Sequence, residues 1–243
     1  MSPPPQPQTQ HQQHLQRPIT ILPSVGSTLG NPSAFAIGAF ATTLTTLSTA
    51  LMEWRGVTTT NAFIANFLFL AGVGMVVSAQ WEMVRGNTYA YTVLSAFGLF
   101  YAGYGAVITP SFGVADAYGG DGTVEYSNAM GLYMIIWTVL NAFFLIGSLG
   151  INTVYILIFL ALELCFLLLG ASHFAAADGH ARAATALQKA AGAFGFLSGL
   201  CGYYTLGSLL FAEVLAWEWP MGGFGVVRCA GRRGVGRKRR KEV

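Results

Sequence analysis

A row of hydroxyl side chains follows an Asn-Pro pair in an otherwise apolar segment. Thr42, Thr45, Thr46 and Thr49 have the spacing i, i+3, i+4, i+7, so they share one face if the segment is helical. Their hydroxyls can donate to carbonyls of the preceding turn, so burying them in a membrane helix costs little free energy. With the bulky Phe40 near its start, the same face also fits a narrow water path with an apolar constriction. The sequence leaves both interpretations open.

A single acidic residue lies near the middle of an apolar stretch. Glu163, in IFLALELCFLLLG, is poorly solvated if that stretch crosses a membrane, where polar groups are costly. Its carboxyl group can hydrogen-bond a neighbouring helix, or it can line an aqueous path and bind or pass a proton. Asn66 and Asn141 can donate to a carboxylate oxygen or join two helices, and for Asn141 we favour the second role.

The motifs of soluble enzymes do not occur in the sequence. GxxxxGK[ST], GxSxG, HExxH and paired CxxC are absent, and the Cys and His residues lack the spacing of metal ligands. We therefore predict that the protein is not an enzyme and binds no cofactor or metal. The basic segment RRGVGRKRRK predicts contact with anionic lipid headgroups rather than with nucleic acid.

Composition places all these residues in a membrane protein. Only 9% of the residues are charged, against about a quarter in soluble domains, and 53% are hydrophobic. Six apolar stretches reach the length of about 20 residues that a membrane-spanning helix needs. The predicted spans are Ser33–Met52, Thr60–Ala79, Thr88–Thr109, Asn128–Leu149, Thr153–Phe174 and Ala190–Val214. The expected fold class is therefore all-α, a polytopic membrane protein with six transmembrane helices.

Composition also divides the chain into three parts. Residues 1–30 are rich in Pro and Gln and are predicted to be a disordered cytoplasmic tail, residues 31–222 to form the six-helix transmembrane domain, and residues 223–243 to form a basic cytoplasmic tail. Both termini are predicted to be cytoplasmic. In that orientation Arg17, Arg85 and the eight basic residues of the C-terminal tail lie inside, whereas three basic residues lie outside.

Several blocks resemble the acetate uptake transporter (AceTr, YaaH-like) family, and most of all its fungal members. They are WE at residues 81–82, GNTYAYTVLSAFGLFYAGYG at residues 86–105, LQKAAGAFGF and the closing WPMG. The resemblance implies a homohexamer of six-helix protomers, with a path through each protomer and both termini inside. It also implies uptake of acetate and related short carboxylates, commonly as proton symport, and we expect a plasma-membrane location. The implied partners are a carboxylate substrate, a proton, the lipid bilayer and further copies of the chain.

The resemblance also assigns site residues. The family's entrance motif NPAPLGL falls at the start of the first span, where only Asn31 and Pro32 match, so the substrate entrance is expected there. The family's apolar constriction of a Phe, a Tyr and a Leu falls on Phe40, Phe97 and Leu162, and Phe97 lacks the tyrosine hydroxyl.

The expected mechanism joins these residues along one path. Asn31 and the threonine face hydrate a carboxylate as far as the constriction, and Glu163 is the candidate proton-binding group. The residues expected to line the pore or to handle the proton are Thr42, Thr45, Thr46, Asn66 and Glu163. Two alternatives stay open. One is transport of ammonium or ammonia out of the cell, and the other is a membrane sensor that binds carboxylate without transporting it.

Overall fold

The computed structural model describes residues 29–215, 217 and 219–223, and six long helices account for most of them. The helices are α1 (Pro32–Leu51), α2 (Asn61–Val84), α3 (Thr88–Ile108), α4 (Val124–Ser148), α5 (Thr153–Ala177) and α6 (Ala181–Val214). Each is long and apolar enough to cross a membrane, which confirms the predicted fold class of an integral membrane protein. No β-strand occurs in the described residues. The two predicted tails lie almost entirely outside them.

Asparagine side chains cap the N-termini of three of the helices. The Oδ1 atoms of Asn31, Asn87 and Asn152 accept hydrogen bonds from nearby backbone N–H groups at 3.1, 3.2 and 2.9 Å, and they cap α1, α3 and α5. Pro32 takes the first position of α1, where its missing N–H costs nothing. Because successive spans alternate in direction, the capped ends of these odd-numbered helices lie on the same side of the bundle.

Two predicted helix boundaries differ from the structure by five residues or more. α6 begins at Ala181 instead of Ala190, because the intervening segment is rich in strong helix formers and continues the helix beyond its apolar part. α2 ends at Val84 instead of Ala79. Its extra turn carries polar side chains that have hydrogen-bond partners on neighbouring helices, as described below. Both differences show that helices extend past the apolar stretch from which they were predicted.

Small residues bring α6 close to α1. α1 packs against α2 and α6, α2 against α3, α4 against α5, and α5 against α6. A Cβ atom added at Gly195 would lie 2.6 Å from Ser48 Oγ, and one added at Gly202 would lie 3.0 Å from the Ala41 Cβ. The glycines of α6 therefore allow close helix packing within the protomer.

The segment after α6 folds back onto the bundle. The carbonyl oxygen of Gly222 accepts hydrogen bonds from the backbone N–H and the hydroxyl of Thr153, both at 3.1 Å. Trp219 lies over Gly207, where an added Cβ would approach the indole ring to 2.7 Å. The WPMG motif thus ties the end of α6 to the start of α5.

Candidate functional site

A cavity of about 440 Å³ lies among α1, α3, α4 and α5. Its walls are mostly apolar and include Ile37 and Ile158. One end, here called the mouth, lies beside the capped helix starts and is lined by Ser33, Asn87 and Gly150. Such a space, with apolar walls and a few polar groups at one end, suits a small organic ligand.

The other end of the cavity, here called the inner end, is aromatic and aliphatic. Phe40, Phe97 and Leu162 line it, and each is at most 3% exposed. At 1.5 Å per residue, these residues lie about 12–15 Å along their helices from the capped ends, close to the middle of a hydrocarbon core of about 30 Å. The structure therefore brings together the three residues predicted to form a constriction. Their role as a constriction stays a prediction.

Phe97 is surrounded by aromatic rings at the inner end of the cavity. Its ring meets that of Phe40 edge-on, with centroids 6.2 Å apart. On the other side it packs against four rings of α4 and α5, at centroid distances of 5.8–6.4 Å. Those four rings belong to Trp137, Phe144, Phe159 and Phe166. A molecule that passes the inner end must therefore displace a tightly packed aromatic group.

Behind the mouth, a buried carboxylate joins the ends of three helices. Glu82, in the last turn of α2, is 1% exposed. Its Oε1 accepts from Ser33 Oγ at 2.6 Å and from Arg85 Nη1 at 3.2 Å, and its Oε2 accepts from Asn87 Nδ2 at 3.0 Å. Arg85 Nη1 also donates to Asn31 Oδ1 at 3.1 Å. These five residues, which we call the mouth cluster, supply the cation and the hydrogen bonds that a buried carboxylate requires.

The mouth combines helix N-termini with the hydrogen-bonding side chains of Ser33 and Asn87. The N-termini of α1, α3 and α5 lie on this side, and a helix N-terminus carries a partial positive charge. The inner end offers no comparable groups, because aromatic and aliphatic side chains surround it. The cavity can thus hydrogen-bond a polar head group at the mouth and accommodate an apolar tail further in.

The threonine face predicted to line a water path packs against α6. Thr42 Oγ1 accepts from the Tyr203 hydroxyl at 3.1 Å. Thr45 donates to the Ala41 carbonyl at 2.8 Å, and Thr46 donates to the Thr42 carbonyl at 2.6 Å. None of the three threonines lines the cavity described above. The structure thus shows the hydrogen bonds to the preceding turn and places this face on the contact between α1 and α6.

Glu163 lies on the contact between α4 and α5. Asn141 Nδ2 donates to Glu163 Oε2 at 2.7 Å and to the Phe159 carbonyl at 3.0 Å, so the predicted helix-joining role of Asn141 is confirmed. Glu163 is half-buried and is not a lining residue of the cavity, although its neighbour Leu162 is. Asn66, also half-buried, begins the π-helical segment within α2 and lies outside the cavity lining as well.

The sequence reasoning missed the mouth cluster as a unit. It ended the second span before Glu82 and assigned Glu82 and Arg85 to a loop. Two signals were present in the sequence. Glu82 and Arg85 have the i, i+3 spacing of a helical ion pair, and Asn87 directly precedes a long apolar stretch as a helix cap does.

Comparison with known proteins identifies relatives over most of the chain. A sequence model of the GPR1/FUN34/yaaH family matches residues 14–217, which confirms the family resemblance. Acetate transporter protein patA of Penicillium expansum is 46% identical over 194 residues, which are 80% of this chain and 78% of the relative. The protein of the same name from Aspergillus clavatus is 47% identical with the same coverage.

A solved structure has the same fold. The bacterial acetate channel SatP matches with a TM-score of 0.68 over 80% of this chain and 99% of that chain, at 22% sequence identity. At this identity the match supports the six-helix fold alone. The relatives and the structural neighbour are named as transporters and a channel, not as enzymes, in agreement with the absence of enzyme motifs from the sequence.

Proposed function

Because the chain belongs to the GPR1/FUN34/yaaH family, we propose that it transports acetate and related short-chain carboxylates across a membrane. The observation that carries this proposal is the cavity with a hydrogen-bonding mouth and an apolar inner end. A short carboxylate has the same two-part character. The names of the two fungal relatives support the choice of acetate.

The size of acetate limits how tightly it can bind. Acetate has four heavy atoms, and with a ceiling of about −1.5 kcal/mol for each, its binding free energy cannot exceed about −6 kcal/mol. That corresponds to a dissociation constant of tens of micromolar at best. Weak binding suits transport, because a tightly held ligand would not leave. We place the carboxylate near Ser33 and Asn87 and the methyl group toward Phe40.

The inner end of the cavity makes proton coupling the favoured mode of transport. An unpaired carboxylate loses its hydration when it enters an apolar constriction, and this desolvation is costly. A carboxylate that crosses together with a proton avoids that cost. We therefore propose proton-coupled uptake, with Phe40, Phe97 and Leu162 as the barrier that the substrate crosses.

Location and assembly are parts of the same proposal. With both termini cytoplasmic, the mouth opens toward the cytoplasm, and the basic residues concentrate on that side as the positive-inside rule requires. We propose the plasma membrane and a homohexamer. The outer face of α4 supports burial against lipid or a further protomer, because Ile136, Phe143 and Ile146 are each at least 65% exposed in the single chain.

Uptake into proteoliposomes tests the proposal. The purified protein should take up labelled acetate faster than protein-free liposomes, whose uptake is subtracted because acetic acid also diffuses through lipid. Unlabelled acetate and succinate serve as carboxylate competitors, and labelled methylammonium is measured in parallel. Carboxylate-sensitive acetate uptake supports the proposal. Methylammonium uptake that carboxylates do not inhibit would establish ammonium transport instead, and acetate binding without flux would establish a sensor.

A further inference from the structure

Behind the cavity mouth lies the carboxylate of Glu82, to which the proposed transport path assigns no role. Glu82 is almost fully buried and accepts three side-chain hydrogen bonds, from Ser33, Arg85 and Asn87. Ser33 and Asn87 also line the cavity. Ser33 and Asn87 therefore contact both the cavity and the Glu82 carboxylate.

A substrate carboxylate at the mouth would need the donors that Glu82 now occupies. The Ser33 hydroxyl has one hydrogen, which it donates to Glu82 Oε1 at 2.6 Å. The Asn87 amide donates to Glu82 Oε2 at 3.0 Å, while its own Oδ1 accepts from the backbone N–H of Ala90. Glu82 and an entering carboxylate thus compete for the one Ser33 hydrogen, whereas Asn87 has a second amide hydrogen to donate.

The charges around Glu82 also oppose the simultaneous presence of two carboxylates. Arg85 faces it from α2 itself and is its cation, with 3.2 Å between Nη1 and Oε1. From α5, the Tyr155 hydroxyl lies within electrostatic reach of Glu82 and also lines the cavity. α1 and α3 face it with the neutral side chains of Ser33 and Asn87. Arg85 balances the one carboxylate of Glu82, and a second carboxylate at the mouth would add a negative charge that has no cation of its own.

We propose that Glu82 is the proton-coupling residue of this transporter. When a substrate carboxylate reaches the mouth from the outer side, Glu82 takes up, on a carboxylate oxygen, the proton that crossed with the substrate. It then releases Ser33, Asn87 and Arg85 to the substrate. When the substrate leaves to the cytoplasm, Glu82 releases that proton on the same side and recovers its three donors. This inference rests on the proposed carboxylate transport and assigns the proton to Glu82 in place of Glu163.

The test compares two transport modes in Glu82→Gln. Glutamine has the shape of a protonated glutamic acid and cannot release a proton, so the variant should still exchange labelled for unlabelled acetate at equal pH. It should lose acceleration by a pH gradient. In the wild type, a gradient of one pH unit is worth up to about tenfold in driving force. We expect the gradient to raise the initial uptake rate of the wild type by a factor approaching ten, and to leave the initial uptake rate of Glu82→Gln unchanged.

Two variants serve as matched controls. Glu163→Gln makes the same chemical change on the contact between α4 and α5 and should keep the response to the gradient. Glu82→Asp keeps a titratable carboxyl group and should also keep the response to the gradient, although its shorter side chain will change the exchange rate. Size-exclusion profiles and thermal unfolding in detergent establish that each variant is folded.

Each outcome separates this inference from the proposed function. A gradient response that persists in Glu82→Gln overturns the inference. The inference is also overturned if folded Glu82→Gln loses both the exchange and the gradient response, since that result shows a positioning role only. Wild-type acetate flux that ignores the gradient overturns the inference and leaves transport standing. Absence of any protein-dependent acetate flux overturns the proposed function itself.

Discussion

Two carboxylates lie within the helix bundle, and their surroundings differ. Glu82 is 1% exposed and bonds to donors from α1, α2 and α3, one of them a cation. Glu163 is half-buried and receives its one side-chain hydrogen bond among the described residues from Asn141 of α4. Glu82 sits beside the cavity at the edge of the membrane, whereas Glu163 sits near mid-membrane and away from the cavity. Depth along a span therefore does not decide which carboxylate is near the substrate.

Rotation about the helix axis explains the difference at Glu163. Successive residues of an α-helix are about 100° apart, so Leu162 and Glu163 face different neighbours. Leu162 faces the cavity with Phe40, and Glu163 faces Asn141 on α4. The polar residue of this pair joins two helices, and the apolar residue meets the space where the substrate is expected.

The largest effect is expected from removing the Glu82 carboxylate. Glu82→Ala leaves Ser33 and Asn87 without their acceptor and Arg85 without its anion. Breaking a fully buried pair costs about 3–5 kcal/mol, and because Arg85 is 25% exposed the cost here should lie toward the lower figure. We expect a large fall in the thermal unfolding midpoint in detergent and loss of gradient-driven acetate uptake. Glu163→Ala is the matched control, and an equal destabilisation in both variants would contradict the contrast between the two sites.

The next largest effect is expected from the apolar neighbour of Glu163. Leu162→Ala opens space at the inner end of the cavity and should cost about 3 kcal/mol of stability as a large-to-small core substitution. It should also admit bulkier carboxylates, measured as stronger inhibition of acetate uptake by butyrate than in the wild type. Glu163→Ala should leave this size preference unchanged. A shift in size preference in Glu163→Ala with none in Leu162→Ala would reverse the assignment of faces on α5.

The sequence predicted the six spans and the residues at the inner end of the cavity because both follow from strong signals. Apolar stretches of membrane length identify helices, and the family resemblance placed Phe40, Phe97 and Leu162 on one cavity. The rotation of each helix was not available from the same signals. A span that is apolar on every side carries no stripe that tells the cavity face from the lipid face. For that reason the threonine face and Glu163 were expected on the path, whereas the structure places both on helix contacts.

The mouth cluster was harder to predict for a different reason. Its residues come from the ends of three helices and from positions 31 to 87, so their proximity depends on how α1, α2 and α3 pack. Composition marked Glu82 and Arg85 as polar residues of a connection between spans. Only the packed structure shows that the connection starts later and that Glu82 is buried.

A smaller effect is expected at the helix caps. Asn31→Ala removes the cap of α1 and also a hydrogen-bond acceptor of Arg85. Asn152→Ala removes only the cap of α5, in which Asn152 Oδ1 accepts from the backbone N–H of Tyr155. Loss of a cap costs about 1 kcal/mol. The lost bond to Arg85 should add about 0.5–1.5 kcal/mol in Asn31→Ala alone. Thermal unfolding of the two variants measures this difference, and equal midpoints would show that Asn31 contributes as a cap only.

The smallest effect is expected at Glu163 itself. Glu163→Gln keeps an oxygen that accepts from Asn141 Nδ2, and Asn141 keeps its second bond to the Phe159 carbonyl. Side-chain hydrogen bonds between membrane helices average about 0.6 kcal/mol, because the separated helices also find partners. The unfolding midpoint of Glu163→Gln should therefore stay close to that of the wild type, while Asn141→Leu, which removes both bonds, should lower it measurably. If Glu163→Gln were instead as damaging as Glu82→Ala, the ionised carboxylate at Glu163 would have a role that a link between α4 and α5 does not explain.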